Sequence, residues 1–324
     1  AFKGENPVTK AKLNSSTKSS KREGNLKMGP AQGLTEKIRN EFNDGYVSEW
    51  YRKVVLNGAI VQRRSCGSFL VIPDPIKFEL KREKLIEDGP ESLQVITDFD
   101  HTLTSYVVNG QKGLSCHECL AQCGLLTKEY HSKVQQLQKK YYPLELDSSL
   151  SYKEKLAFME EWYAQGNEAL VHSGLTKEIV FLAVQSADID LRKGHKNLFN
   201  CLSEKSVPLL IFSAGLKEVL EEVLQQRSHA SLPPTTHVIS NKMVFKDEKF
   251  VGFSGKLFHA LNKNAGSVAD DDPYFAEEAM RNRRNVILVG DSLGDLNMVR
   301  GLDTETILSF GFLNVNAEER LESF

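Results

Sequence analysis

Three short apolar runs, Leu93–Thr97, 207–212 and 285–289, each stop at a turn rich in Asp, Ser or Gly, and they constrain this chain more than any other feature. A strand buried on one face alternates apolar and polar residues, whereas a strand buried on both faces reads as an unbroken apolar run. After the second run, Leu216, Val219, Leu220, Val223 and Leu224 recur at helical spacing. Doubly buried strands alternating with helices predict an α/β fold: a three-layer, Rossmann-like parallel sheet. In such sheets ligands bind at the carboxyl ends of the strands, so the three turns predict one site on one edge.

The turns carry chemistry. The first is Asp98-Phe99-Asp100-His101-Thr102-Leu103-Thr104, the second Ser213-Ala214-Gly215, the third Gly290-Asp291-Ser292-Leu293-Gly294-Asp295. Residues i and i+2 leaving a strand point the same way, so Asp98 and Asp100 are expected side by side. Like charges held that close call for a shared proton or a cation, and Mg²⁺ accepts carboxylates readily. Ser213 and the amides of Ala214 and Gly215 before a helix suit an anion, although a serine there can also simply cap the helix.

Together these turns resemble the haloacid dehalogenase superfamily of phosphatases, and longer stretches narrow the resemblance. The runs Tyr141-Tyr142-Pro143-Leu144-Glu145, Met159-Glu160-Glu161-Trp162-Tyr163, Ser240-Asn241 and Leu261-Asn262-Lys263 are similar to the pyrimidine 5′-nucleotidase family, the cytosolic 5′-nucleotidase III group. The resemblance covers about residues 75 to 324. It implies Mg²⁺-dependent hydrolysis of nucleoside 5′-monophosphates, chiefly UMP and CMP, through an aspartyl-phosphate. It makes Asp98 the nucleophile and Asp100 the general acid and base. It places Mg²⁺ on Asp98, the Asp100 main-chain carbonyl and Asp291, supported by Asp295, Thr102 and Gly215. It assigns the phosphoryl group to Ser213, Ala214 and Lys263, and the base to Glu145, with Trp162 and Tyr163 as candidate stacking partners. Only the resemblance selects Lys263, since a loop lysine is usually a solvated charge. Alternatives are a phosphatase or phosphotransferase acting on another phosphomonoester, including 7-methyl-GMP, and a truncated, non-catalytic nucleotide-binding protein. Aligned from Trp162, a substrate-contacting lid serine of relatives falls on Gly166. Relatives usually continue beyond Phe324, so a truncated core edge is expected.

The interval from Asp98 to Ser213 far exceeds the ~10–12 residues that a crossover needs. Residues 105–189 are therefore expected to form an inserted helical cap, with helices near 127–141, 151–171 and 175–186. Residues 76–104 and 190–324 supply the core, with a hairpin over 237–255 and a strand over 307–313. Residues 1–30 are basic and polar and read as disordered, with residues 31–75 as an extension that includes a helix near 33–55.

The remaining composition mainly excludes. Forty-one Lys and Arg against 43 Asp and Glu leave no field for a nucleic-acid polymer or an anionic membrane. No apolar run approaches the ~18 residues of a membrane span. Five cysteines, odd and sparse, suit free thiols in the cytoplasm, and a monomer is expected. Cys116-x-x-Cys119-(x)₃-Cys123 lacks a second pair nearby for a zinc site, and free thiols on a lid helix fit it better.

Overall fold

The computed structural model describes residues 59–63, 68–147, 149–269 and 272–321. The expectations for residues 1–30 and for a helix near 33–55 lie outside these. Strands β1 (Ile60–Arg63) and β2 (Phe69–Ile72) pair as an antiparallel ribbon. Helix α1 (Pro75–Asp88) follows, with Pro75 at its first position and Asp74 capping it through the Lys77 amide.

The central sheet has six strands in the order β10-β9-β3-β6-β7-β8. These are β3 (Leu93–Thr97), β6 (Leu209–Leu216), β7 (Thr236–Lys246), β8 (Lys249–Ser254), β9 (Asn285–Gly290) and β10 (Thr306–Gly311). All pairs are parallel except β7–β8. That pair forms the expected hairpin, its turn made by Asp247 and Glu248, both at positive φ. Successive residues of the central strands enter opposite hydrophobic clusters. Val95, Leu209 and Ile211 pack on one face; Ile96, Leu210, Phe212, Val286 and Leu288 pack on the other. Burial on both faces is why these strands read as apolar runs without alternation.

Between β3 and β6 lie a small hairpin, β4 (Val107–Val108) with β5 (Gln111–Lys112), and helices α2 (Cys116–Gln122), α3 (Lys128–Leu146), α4 (Tyr152–Val171), α5 (Lys177–Ser186) and α6 (His195–Glu204). Serines 115 and 151 start α2 and α4 with full capping boxes to Glu118 and Glu154. Cys116, Cys119 and Leu120 of α2 and Val180, Ala183 and Val184 of α5 sink into the sheet's own cluster. Helices α3 and α4 pair with each other, joined by Lys133–Gln165 and by Trp162 stacked on the fully buried Tyr141. Trp162 is thereby engaged in packing between α3 and α4. Beyond β6 runs α7 (Lys217–Arg227).

Gly166 lies on α4, and a Cβ added there meets nothing within 4 Å. A glycine inside a helix costs about 0.5–1 kcal/mol relative to alanine. Gly166→Ala is expected to raise the melting temperature by roughly 1–4 °C, and a thermal scan that shows a fall would contradict the open space seen here. No helix among the described residues is long and apolar enough to cross a membrane.

Candidate active site

Register brings the three turns together. Thr97 pairs with Val289 on one side and Ile211 on the other, so Asp98, Ser213 and Asp291 emerge within two residues of the same level. The Asp98 amide donates to the Val289 carbonyl (2.9 Å) and extends the sheet by one bond. The chain then makes a single π-type turn over Phe99–Leu103, with His101 at φ 59°. The His101 amide donates to Thr104 Oγ1 (2.7 Å), and the Thr104 amide donates to the Phe99 carbonyl (3.0 Å).

This turn gives the two carboxylates different partners, where simple alternation placed them side by side. Asp98 Oδ1 accepts from Lys263 Nζ at 2.5 Å, and the same ammonium pairs with Asp295 Oδ1. Asp100 Oδ1 accepts from the Cys116 amide (2.9 Å). All three members of the first group are buried: Asp98 is 6% exposed, Lys263 3% and Asp295 3%. Lys263, selected above by resemblance alone, is therefore not a solvated surface charge.

The spacing Gly290-Asp291-(x)₃-Asp295 has a steric reason. A Cβ on Gly290 would stand 2.5 Å from Asp295 Cβ, so only glycine lets Asp295 fold back over the strand end. From there Asp295 Oδ2 accepts from the Asp291 amide (3.1 Å), the Ser292 amide (2.9 Å) and the Ser292 hydroxyl (2.9 Å). Its other oxygen is left to face Lys263. Asp98, Asp291 and Asp295 each bring a carboxylate oxygen within 4.8 Å of the others, the one such group of possible metal ligands among the described residues. Cys116, Cys119 and Cys123 are free thiols and are not part of such a group.

Ser213, Ala214 and Gly215 occupy a bulge. Phe212 pairs with Ile239 and Leu216 with Asn241, so three residues of β6 face Ser240 alone. Ser240 Oγ donates to the Gly215 carbonyl (2.7 Å), and Asn241 Nδ2 donates to the carbonyls of Ala214 (2.8 Å) and Phe258 (2.9 Å). The strand continues to Leu216 before α7 begins, so Ser213 does not cap that helix. Its hydroxyl oxygen instead accepts from the Gly215 amide (2.9 Å).

Burial raises Asp100 to about 6, against the pull of the Cys116 thiol and amide. Asp291 is likewise raised to about 6, by burial first and by Asp295 next. Burial and the neighbouring Asp295 and Asp291 raise Asp98, with Lys263 acting in the opposite direction. Burial disfavours the Lys263 ammonium, yet Asp98 and Asp295 outweigh that and hold it above its ordinary value.

The inserted helices reach this cluster. Tyr152 at the start of α4 donates its hydroxyl to the Leu261 carbonyl (2.9 Å), two residues from Lys263. Lys155 Nζ donates to the Glu145 carbonyl (2.8 Å) at the end of α3. The Tyr163 ring stands between His117 and His259, each 5.7 Å away centroid to centroid. Burial foremost raises its phenol, followed by the field of Glu145 and then of Asp100. Burial also raises the Glu145 carboxyl, which Lys155 partly opposes.

Several positioning residues carried no recognisable sequence signal. Arg192 donates through Nε to the Thr102 carbonyl (2.8 Å) and through a second nitrogen to the His101 carbonyl. Its guanidinium stacks 3.8 Å from the Phe312 ring centroid. Asn314 Nδ2 donates to the His101 carbonyl (3.1 Å) and to Asp291 Oδ2 (3.3 Å). These residues hold a non-glycine residue in the left-handed region and tie the first turn to the third. The buried Thr102 hydroxyl has no hydrogen-bond partner among the described residues. The β4–β5 hairpin did have a legible signal, Asn109-Gly110 between two valines and a polar pair, with both turn residues at positive φ.

Known proteins are similar to this chain in sequence and fold. The family model described as pyrimidine 5′-nucleotidase (UMPH-1) matches residues 101–324. The 7-methylguanosine phosphate-specific 5′-nucleotidase of Mus musculus is 37% identical over 238 residues, 73% of this chain and 78% of that protein. The corresponding protein A of Xenopus laevis is 38% identical over 253 residues, 78% of this chain and 86% of its own length. The crystal structure of cytosolic 5′-nucleotidase IIIB bound to cytidine superposes with a TM-score of 0.68 at 28% identity, covering 77% of this chain and 83% of that one. The chain belongs to the pyrimidine 5′-nucleotidase family, and is a 5′-nucleotidase of the haloacid dehalogenase type.

Proposed function

We propose that this chain hydrolyses pyrimidine nucleoside 5′-monophosphates, and 7-methyl-GMP with them, to nucleoside and phosphate through a phosphorylated Asp98. The observation that carries this reading is Tyr163, an aromatic of the inserted helices whose ring stands 5.7 Å from that of His259, just ahead of the Lys263 that pairs with Asp98. A lid acid and aromatic faces a few residues from a phosphoryl-transfer cluster suit a base joined to a phosphate. An ionised Glu145 only accepts hydrogen bonds, so it favours bases with N–H donors on the facing edge. Cytosine presents an amine, uracil an imide N–H, and 7-methylguanine an N–H and an amine on a cationic ring. The second reading, with 7-methyl-GMP preferred, is favoured by the names of the mouse and frog relatives.

In this mechanism an Asp98 oxygen forms a bond to phosphorus as the bond to the nucleoside O5′ breaks, and Asp100 gives that oxygen its proton. Water then attacks phosphorus, its proton passes to Asp100, and the Asp98–phosphorus bond breaks. Lys263 and Ser213, with the Ala214 amide, face the phosphoryl oxygens and offset their charge. The donor set fits Mg²⁺: three clustered carboxylates, two buried and Asp291 partly so, all hard oxygens, carry more negative charge than one lysine balances. Asp98, the Asp100 carbonyl and Asp291 would hold the ion, with Asp295 orienting the loop behind it. When bound, it would supply further positive charge to the phosphoryl oxygens. The free thiols of Cys116, Cys119, Cys123 and Cys201 suit the cytoplasm, and the reading needs only a monomer and a free nucleotide.

A substrate panel tests the proposal: CMP, UMP, 7-methyl-GMP, GMP and phosphoserine, each with Mg²⁺ and with excess EDTA. Phosphate release from at least one of the first three, abolished by EDTA, is expected. Release from none of them, or a preference for phosphoserine, would sink it.

Glu145 yields a prediction with a definite sign. Its folded-state pKa is raised, so the charged form destabilises the fold above that pKa, and the difference disappears below the ordinary carboxylate range. Glu145→Gln is expected to melt higher than the parent at neutral pH, with the gap closing toward about pH 4. The same variant should lose kcat/KM on CMP and 7-methyl-GMP while keeping its rate on p-nitrophenyl phosphate, which has no base to read.

A further inference from the structure

Asp100 does not stand alone at the mouth of the sheet. Helix α2 begins directly beneath it, and Cys116, its first residue, is fully buried. The Cys116 amide donates to Asp100 Oδ1 at 2.9 Å. The thiol lies on the same side: a Cβ placed on Gly215 would be 3.1 Å from Cys116 Sγ and 3.2 Å from Asp100 Oδ2. Sulfur and carboxylate thus flank one small gap that a glycine leaves open.

Resting on the nucleotidase reading, we infer that Cys116 is a positioning residue for the acid–base group, holding one Asp100 oxygen with its amide and steering the other with its thiol. A thiol is a weak hydrogen-bond donor, and across the gap at Gly215 the sulfur has Asp100 Oδ2 as its facing acceptor. Its burial also separates it from redox chemistry, which needs an accessible thiolate. The α2 capping box of Ser115 and Glu118 fixes the helix start, and Lys112 on β5 anchors Glu118 at 2.8 Å. The position of Asp100 is therefore set from the inserted segment as well as from the strand that carries it. A carboxylic acid that must give its proton to O5′ and later accept one from water gains from a fixed oxygen in both steps.

The test compares Cys116→Ser, which keeps a donor, with Cys116→Ala, which removes it, in the complete protein. Single-turnover release of the leaving group, nucleoside or p-nitrophenolate, is measured, so that only the first step is read, on the nucleotide that the parent cleaves fastest and on p-nitrophenyl phosphate. The nucleoside leaves as an alkoxide and needs the proton of Asp100, whereas p-nitrophenolate departs without it. Cys116→Ala is expected to slow the nucleotide about tenfold, with KM and the p-nitrophenyl phosphate rate within about twofold of the parent. Cys116→Ser is expected to restore most of that rate. Equal losses on both substrates, an alanine variant as fast as the parent, or a serine variant as slow as alanine would each overturn the inference. If Cys116→Ala fails to fold, Cys116→Val, which fills the volume without a donor, takes its place. A parent inert on CMP, UMP and 7-methyl-GMP removes the nucleotidase reading and this inference together. An active parent with indifferent variants removes this inference alone.

Discussion

Asp98→Asn is expected to abolish phosphate release while leaving nucleotide binding in place. An amide oxygen is a poor nucleophile, and no other carboxylate can replace the one at the end of β3. Asp100 faces Cys116, and Asp295 is held by three donors from its own loop. Loss of a covalent nucleophile costs on the order of 10⁴-fold or more in kcat. The substitution is nearly isosteric and keeps a hydrogen-bonding group beside Lys263, so the melting temperature should move much less than the rate. The check is single-turnover kinetics beside isothermal titration with CMP. A variant that still turns over within tenfold of the parent would place the nucleophile elsewhere, and one that neither turns over nor binds would point to a collapsed site.

Lys263→Met is expected to damage both stability and activity. The ammonium lies between Asp98 and Asp295 with almost no solvent access, so its removal leaves two buried carboxylates facing each other. Breaking a buried ion pair from one side costs about 3–5 kcal/mol, which for a chain of this size is roughly 6–20 °C in melting temperature. Asp98, already raised by burial and held down by Lys263, would then keep its proton more tightly, so the deficit should shrink on acidification and grow toward neutral pH. Activity should fall further than stability alone predicts, because in the proposed mechanism Lys263 also offsets the charge that develops on the phosphoryl group. Thermal melts at several pH values, with phosphate release measured below the melting range, separate the two effects. A variant as stable as its parent at neutral pH would show that the lysine is not what balances Asp98 and Asp295.

These two residues mark different degrees of legibility. Asp98 was readable because its signal is local: a buried strand followed by Asp-x-Asp-x-Thr, repeated in kind at Gly290-Asp291. Lys263 had no local signal, since nothing in Leu261-Asn262-Lys263 says that the side chain is buried. Resemblance selected it, and its partner lies 165 residues away. Trp162 and Tyr163 show the same limit on α4. Adjacent in sequence, they differ by one helical step, so one stacks on Tyr141 inside the lid and the other lies between two histidines near the site. Strand alternation did not reveal that Asp98 and Asp100 take different partners, because the chain leaves the strand in a π-type turn with His101 in the left-handed region.

What the sequence by itself determined is the sheet and the edge at which Asp98, Asp100 and Asp291 gather. Those follow from apolar runs of strand length and from turn chemistry, interactions among residues a few positions apart. Only the tertiary structure decided who holds those acids. Arg192 and Asn314 grip the first turn from 91 and 213 residues away, Ser240 and Asn241 set the bulge at Ser213, and Cys116 meets Asp100 from the inserted helix. Each is a polar group whose role is defined by what burial brings next to it, and burial depends on strand register and helix placement along the whole chain.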